Sequence, residues 1–324
     1  MRFLTELIEF LSIPSISTQP AHQQDTARAA QWLANSLQDA GLEHIQVVQT
    51  QGHPLVYGDW LHAGPEVPTV LIYGHYDVQP PEPLELWVSP PFSPDVREDH
   101  VYARGASDDK GQLYIHVKAA EAYLKTSGRL PVNLKFIIEG EEESGGGSLR
   151  DFINDERELL AADSALISDT AMVGTGRPAL VYGLRGNCHM LVDFFGPSLD
   201  LHSGSYGGGI NNPLNVLGHV IASLKDLDGH ILIPGFYDKV RPLSDEEKAL
   251  LAQFPFDEEV WLHETGAPSA WGEPEYTLIE RISARPTLDV TGMTGGYTAK
   301  GTKTVLPAHA HVKVSMRLVP DQDP

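Results

Sequence analysis

Three stretches of the sequence place acids or a histidine just beyond an apolar run, and a fourth places an acid at the start of a predicted helix. The first set comprises His75 and Asp77 in YGHYDVQP, Glu142 and Glu143 in EGEEESGGG, and Asp169 in ALISDT; the fourth is Asp108 in ARGASDDKG. Alternation along an extended segment puts His75 and Asp77 on one face. One imidazole nitrogen can then ligate a metal while Asp77 holds the other and sets the tautomer. Neighbouring carboxylates repel one another and lose hydration when gathered, so their convergence calls for a cation. In EGEEESGGG one glutamate can ligate while its neighbour stays free to take the proton of an attacking water. Histidine, aspartate and glutamate at successive junctions suit a two-metal site with one carboxylate shared between the ions. Nitrogen-plus-carboxylate donors fit zinc, and manganese or cobalt as well. Taken singly, each motif has a plainer reading. Asp108 and Asp109 are also good helix-capping acids, and Asp169 is also a turn residue.

Composition narrows the classes. The chain has 324 residues, 41% of them hydrophobic, which supports a large core and two domains. Its formal charge of -21, from 44 acidic and 23 basic residues, opposes binding to nucleic acid and to anionic membranes. Cys188 is the single cysteine, so an intrachain disulfide and a thiolate-rich zinc site are both excluded. The opening MRFLTELIEFLSIPSIS has apolar residues at helical spacing and no basic leader, and reads as a helix ending near Pro14. No apolar run reaches the length of a membrane span, and a cytoplasmic protein is the default expectation.

The elements that must position these residues follow from periodicity. Residues 21–40 read as an amphipathic helix with Ala29, Trp32, Leu33 and Leu37 on one stripe and Gly41 as its C-cap. HIQVVQT alternates as a strand, TVLIYGHYDV is a buried strand, and the proline-rich segment around residues 79–94 is a loop. GQLYIHVKAAEAYLKTSG is a helix, VNLKFIIEG a strand, SLRDFINDERELL helical and SALISD a short strand. This order predicts an α/β sandwich with a mostly parallel sheet. Gly105 and Gly111 flank Asp108 and allow a sharp turn with close backbone approach.

The texture changes across TGRPALVYGLRG, and a second domain begins near Gly183. There CHMLVDFFGP reads as a partly solvated strand, NNPLNVLGHVIASLKDL as a helix, and TKTVLPAHAHVKVSMRLVP as two strands joined by a turn. The carboxylate-rich stretch between Gly235 and Gly266 reads as helix and solvated surface. His202, in DLHSGSYGGG, can stabilise an oxyanion, and Arg317, in VSMRLVP, can grip a carboxylate through two parallel hydrogen bonds. A solvent-facing loop histidine and an arginine paired with a buried acid are the plainer readings of these two. GSYGGG lacks the strand–turn–helix setting of a dinucleotide fingerprint, and Cys188 in its apolar run reads as packing.

Together, YGHYDVQP, ARGASDDKG, EGEEESG and DLHSG resemble the M20 family of metallopeptidases, in the carnosinase-like/cytosolic nonspecific dipeptidase branch. The resemblance implies a zinc-peptidase-like α/β/α sandwich with a smaller α+β lid and dimerisation domain inserted, here residues 1–183 and 184–324. It implies two Zn2+ per subunit, with His75, Asp108, Glu143 and Asp169 as ligands and Asp108 bridging. Asp77 would orient His75 and Glu142 would be the general base. His202 matches the lid histidine that reaches the partner subunit's active site in a homodimer, and Thr304 and Arg317 match substrate contacts. The implied substrate is a dipeptide or short peptide with a free C-terminal carboxylate. An N-acyl amino acid deacylase of the same family is the near alternative. Family members continue past the lid and return to the catalytic domain, so a chain ending at Pro324 is expected to be a truncated one, with a catalytically incomplete metal-binding or dimerisation fragment as the remaining alternative.

Overall fold

A computed structural model describes residues 2–170, 172, 179 and 181–324. Part of the TGRPALVYGLRG stretch, where the sequence changes texture, lies outside the described residues. The chain divides into two compact units, Met1–Met172 and Val173–Pro324.

In the first unit the amphipathic periods become helices α1 (Arg2–Leu11) and α2 (Gln23–Ala40). Strands β1 (Glu43–Val48), β2 (Leu55–Trp60) and β3 (Thr69–His75) follow. A small ribbon of β4 (Asp95–Arg97) and β5 (His100–Tyr102) leads into helix α3 (Lys110–Ser127). The unit ends with β6 (Asn133–Glu139), helices α4 (Ser148–Asp155) and α5 (Arg157–Leu160), and β7 (Ser164–Ile167). Gly41 caps α2 in the left-handed region at φ 100°, as its position predicts.

Among the described residues the main sheet has five strands in the order β1-β2-β6-β3-β7. The sheet is mixed rather than mostly parallel: β2 runs antiparallel to β1 and β6, while β3 runs parallel to β6 and β7. The difference comes from β2, LVYGDW, which periodicity does not reveal. It is buried along its whole length, so it does not alternate, and Gly58 and Asp59 interrupt its apolar character.

Strand alternation still decides the layers. Val56, Phe136, Ile138 and Ile72 face one side, where Phe10 of α1, Leu33 and Leu37 of α2, and Leu113 and Val117 of α3 complete a core. Leu55, Tyr57 and Ile137 face the other, against Leu160 and the partly buried Leu149 and Phe152 of the α4–α5 region. A fully buried Leu or Phe in such a layer contributes about 1.5–3 kcal/mol relative to exposure. The outcome is the expected α/β/α sandwich, and it sets the C-terminal ends of β3 and β6 side by side, with His75 opposite Glu139.

The second unit opens with β8 (Gly186–Phe195), β9 (Leu201–His202), α6 (Ser203–Tyr206) and α7 (Pro213–Leu224). The acidic stretch supplies α8 (Asp245–Gln253) and α9 (Glu258–Thr265), followed by α10 (Leu278–Ser283). Strands β10 (Thr287–Gly295), β11 (Val305–Leu306) and β12 (His309–Leu318) complete it. The antiparallel sheet β10-β12-β8 packs one face on Leu214, Leu217, Ile221 and Leu224 of α7. Its other face is open to solvent, with Phe195 82% exposed. The two late strands do not pair with each other as a hairpin. β11 pairs with β9, while β12 lies between β10 and β8. Strand β10, absent from the sequence reading, supplies the partner that a hairpin reading assigned to β11.

Candidate metal centre

The parallel pairing of β3 with β6 delivers the first ligands. His75 ends β3 and is fully buried, as is Asp77 beyond it. The Nδ1 of His75 lies 3.1 Å from the Asp77 carbonyl and 3.4 Å from its Oδ1, so Asp77 occupies the side of the ring that sets the tautomer. The opposite nitrogen, Nε2, is 3.1 Å from Asp108 Oδ1 and 3.6 Å from Asp169 Oδ2. His75, Asp108 and Asp169 each offer a ligand atom within 4.8 Å of the others. A β-strand end, the start of α3 and the end of β7 are therefore brought to one point.

Buried polar atoms without partners mark this point. His75 Nε2, Asp77 Oδ1 and Asp109 Oδ1 are all buried and form no hydrogen bond. Leaving one such atom unsatisfied costs about 1–3 kcal/mol, and more for a charged group, so three of them gathered beside Asp108 and Asp169 favour a bound ligand. The ionisation equilibria agree. Burial pushes the Asp109 carboxyl up to about 7, with the His75 N–H and ring opposing and Asp169 and Asp108 adding to the rise. Burial likewise raises the Glu142 carboxyl, helped by Asp169, Asp77 and Asp108, and raises Glu143, with Asp108 adding. For His75 burial opposes the charge, but Asp77, Asp109 and Asp169 together hold its pKa well above the ordinary value. Burial first and the neighbouring carboxylates second disfavour the charged forms of these acids, and a divalent cation would offset both effects. The donor set of imidazole and carboxylates fits such an ion.

The glutamate pair sits on a short turn, Glu142–Ser144, directly after β6. Gln79 Nε2 donates to Glu143 Oε2 at 2.6 Å, and the Glu143 N–H donates to Asp77 Oδ2 at 3.1 Å. Glu143 is thus oriented by the same loop that carries His75, although its carboxylate stands outside the His75–Asp108–Asp169 group. Glu142 is exposed.

Asp109 stands at the N-cap position of α3, one of the two readings of the aspartate pair, but its side chain makes no capping hydrogen bond. It is 1% exposed and its Oδ2 accepts the backbone N–H of His75 at 3.1 Å, so it positions β3. Nothing in two consecutive aspartates tells which is buried. Gln79 was also missed, and its place in YGHYDVQP is the one available signal. The close approach predicted at the glycines is realised. Gly105 has φ +82°, and a Cβ on Gly111 would lie 2.0 Å from the Ala106 carbonyl oxygen.

In the second unit, His202 ends β9 opposite Val305 of β11. Its Nδ1 accepts the Gly204 N–H at 3.0 Å, which leaves the ring proton on the exposed Nε2. The Thr304 carbonyl accepts the Ser203 N–H at 3.2 Å, so Thr304 and His202 are neighbours. Arg317, on β12, is exposed and forms no ion pair among the described residues, unlike a structural arginine buried against an acid. A second group with ligand-like spacing, Asp193, His309 and His311, also belongs to this unit. No helix among the described residues is long and apolar enough to cross a membrane.

Comparison with known proteins completes the description. The family model for peptidase family M20/M25/M40 matches residues 71–315. The Beta-Ala-His dipeptidase of Mus musculus is 34% identical, over 99% of this chain and 68% of that protein. The Cys-Gly metallodipeptidase DUG1 of Candida albicans is 34% identical, over 99% of this chain and 69% of its own length. Among solved structures, the M20 family metallo-carboxypeptidase Sso-CP2 from Sulfolobus solfataricus superposes with a TM-score of 0.88 at 36% identity, covering 100% of this chain and 72% of that one.

Proposed function

The chain belongs to peptidase family M20/M25/M40, and from that premise we propose how its own residues carry out the family's metal-dependent dipeptidase chemistry. The observation that supports the reading is the buried Nε2 of His75, which forms no hydrogen bond and faces the carboxylates of Asp108 and Asp169 at 3.1 and 3.6 Å. His75, Asp108, Asp169 and Glu143 are the residues that would hold two divalent ions, zinc by donor type. When bound, such ions supply Lewis acidity that polarises a scissile carbonyl and lowers the pKa of water.

The remaining roles fall to side chains. Asp77 faces Nδ1 and would keep the His75 ring in the tautomer that leaves Nε2 free to ligate, and Asp109 anchors the backbone of the same residue. Gln79 fixes the Glu143 carboxylate. Glu142, left without a fixed partner, takes a proton from the attacking water and passes it to the leaving nitrogen. His202 offers its Nε2–H to the oxyanion of a carbonyl attacked in the partner subunit's site. Thr304 and Arg317 hold the free C-terminal carboxylate of the substrate, Arg317 through paired hydrogen bonds. That clamp selects dipeptides and short peptides over internal peptide bonds. The second unit is the lid and the dimerisation surface of a homodimer. The single cysteine suits a reducing compartment, and we place the protein in the cytoplasm.

The test is Glu142→Gln, assayed with a dipeptide and with an N-acetyl amino acid while metal content is measured. Dipeptide turnover should fall by roughly 10²–10⁴-fold with metal content unchanged. Undiminished turnover would remove Glu142 from the mechanism, and preference of the parent protein for the N-acetyl amino acid would replace the dipeptidase reading with a deacylase.

A further inference from the structure

The open face of the β10-β12-β8 sheet carries histidines that the proposed mechanism does not use. Antiparallel register places His311 of β12 directly opposite Asp193 of β8, and His309 opposite Phe195. Residues two apart on a strand share a face, so His309, His311, Asp193 and Phe195 stand together on the side away from α7. His309 Nε2 is 2.8 Å from Asp193 Oδ1, and the two imidazole centroids are 5.7 Å apart. Phe195 stacks on His309 with centroids 5.0 Å apart and planes 27° from parallel, which limits the turning of that ring.

We propose that Asp193, His309 and His311 form a binding site for a divalent transition-metal ion, made wholly by residues of the second unit. Their ligand atoms already lie within 4.8 Å of one another. Zinc bonds of about 2.0–2.1 Å at tetrahedral angles require donors roughly 3.3 Å apart, so modest side-chain rotation on a fixed strand pair closes the site. Two imidazoles and one carboxylate prefer Zn2+, Co2+, Ni2+ or Cu2+ over Mg2+ and Ca2+, which seek all-oxygen shells. His309 and Asp193 keep 43% and 38% of their side-chain surface exposed, which leaves room for water or an added ligand to complete the coordination. Lys313 is the cation two residues along β12 from His311 on this face. Its aliphatic chain lies along Gly292 of β10, on the side of β12 away from Asp193, so its charge does not stand between the donors.

The experiment counts ions. Metal-free protein is dialysed against Zn2+ and the bound metal is measured for the parent, for His309→Ala/His311→Ala and for His75→Ala. The double variant should bind one equivalent fewer than the parent, and His75→Ala should retain that equivalent. Asp193→Asn, which preserves shape, should weaken the Zn2+ dissociation constant of this site at least tenfold and guards against a folding defect in the double variant. Equal stoichiometry in the parent and the folded double variant, or an unchanged dissociation constant in Asp193→Asn, would overturn the proposal. Because His75→Ala is measured alongside, failure here is distinguishable from failure of the centre in the first unit.

Discussion

Each unit buries a cluster of charged side chains, the Glu273–Arg285 pair in the second and the His75 group in the first, and the two clusters differ in how their polar atoms are satisfied. In the second unit, Glu273 and Arg285 are buried together and are hydrogen-bonded to each other. Arg285 Nε and Nη2 donate to Glu273 at 2.6 and 2.9 Å, and the Tyr237 hydroxyl donates to Glu273 Oε1 at 2.8 Å. In the first unit, His75, Asp77 and Asp109 are at least as deeply buried, yet each leaves a polar atom without a partner. A satisfied network holds a fold together. An unsatisfied one holds a place for something else.

That contrast can be broken most forcefully at Glu273. Removing one partner of a buried pair strands the other, so Glu273→Ala should destabilise the second unit by about 3–5 kcal/mol in a denaturant titration, while metal content at the His75 centre stays constant. The same pair gives a pH signature. Burial pushes the Glu273 carboxyl up, but Arg285 and Tyr237 more than offset this and its pKa lies below the ordinary value. Its contribution is therefore present above the unfolded pKa of about 4.5 and is lost as pH falls through the lower folded value. Melting curves of the parent should drop more steeply below pH 4.5 than those of Glu273→Gln.

A smaller effect of the other kind is expected at Asp109. Asp109→Asn keeps the shape but weakens the acceptor for the His75 N–H, and should cost 10–100-fold in metal affinity with little change in melting temperature. A large loss of stability with unchanged affinity would make Asp109 structural, like Glu273. Gly111→Ala should destabilise by about 1–3 kcal/mol, because the added methyl meets backbone rather than a movable side chain.

The smallest effect lies at the surface. The hydrogen bond to Glu275 raises the pKa of His230, with Asp226 assisting and slight burial opposing. Its stabilisation is present below the unfolded pKa of about 6.5 and fades as pH rises through the folded value. His230→Gln should lower stability by about 0.2–1 kcal/mol at pH 5.5 and by less at pH 8.5, read from paired melting curves.

What could be read without the structure was whatever lay close in sequence. His75 and Asp77 share a strand end, and Glu142 and Glu143 share a turn, so short-range alternation and spacing disclose them. The helices α2 and α3 were legible because their buried stripes, Leu33–Leu37 and Leu113–Val117, repeat at helical period. What depended on burial or on distant pairing was not. Strand β2 hides because both its faces are covered, Asp109 because its burial follows from the packing of α3 against β3, and the partners of β11 and β12 because strand pairing is a long-range choice. The alignment of His311 with Asp193 is of the same kind: both residues are visible in the chain, but 118 positions apart only the antiparallel register makes them neighbours.

The parallel register of β3 on β6 has one more implication. Because His75 is set against Glu139 by the ladder itself, the distance between the histidine and the glutamate turn can change only in increments of a strand residue, roughly 3.3 Å, and a single step would also turn every side chain of β3 over. Natural variation therefore has no gradual route for retuning this spacing through the strands, and the accessible adjustments are confined to the loops that begin at Tyr76 and Gly140.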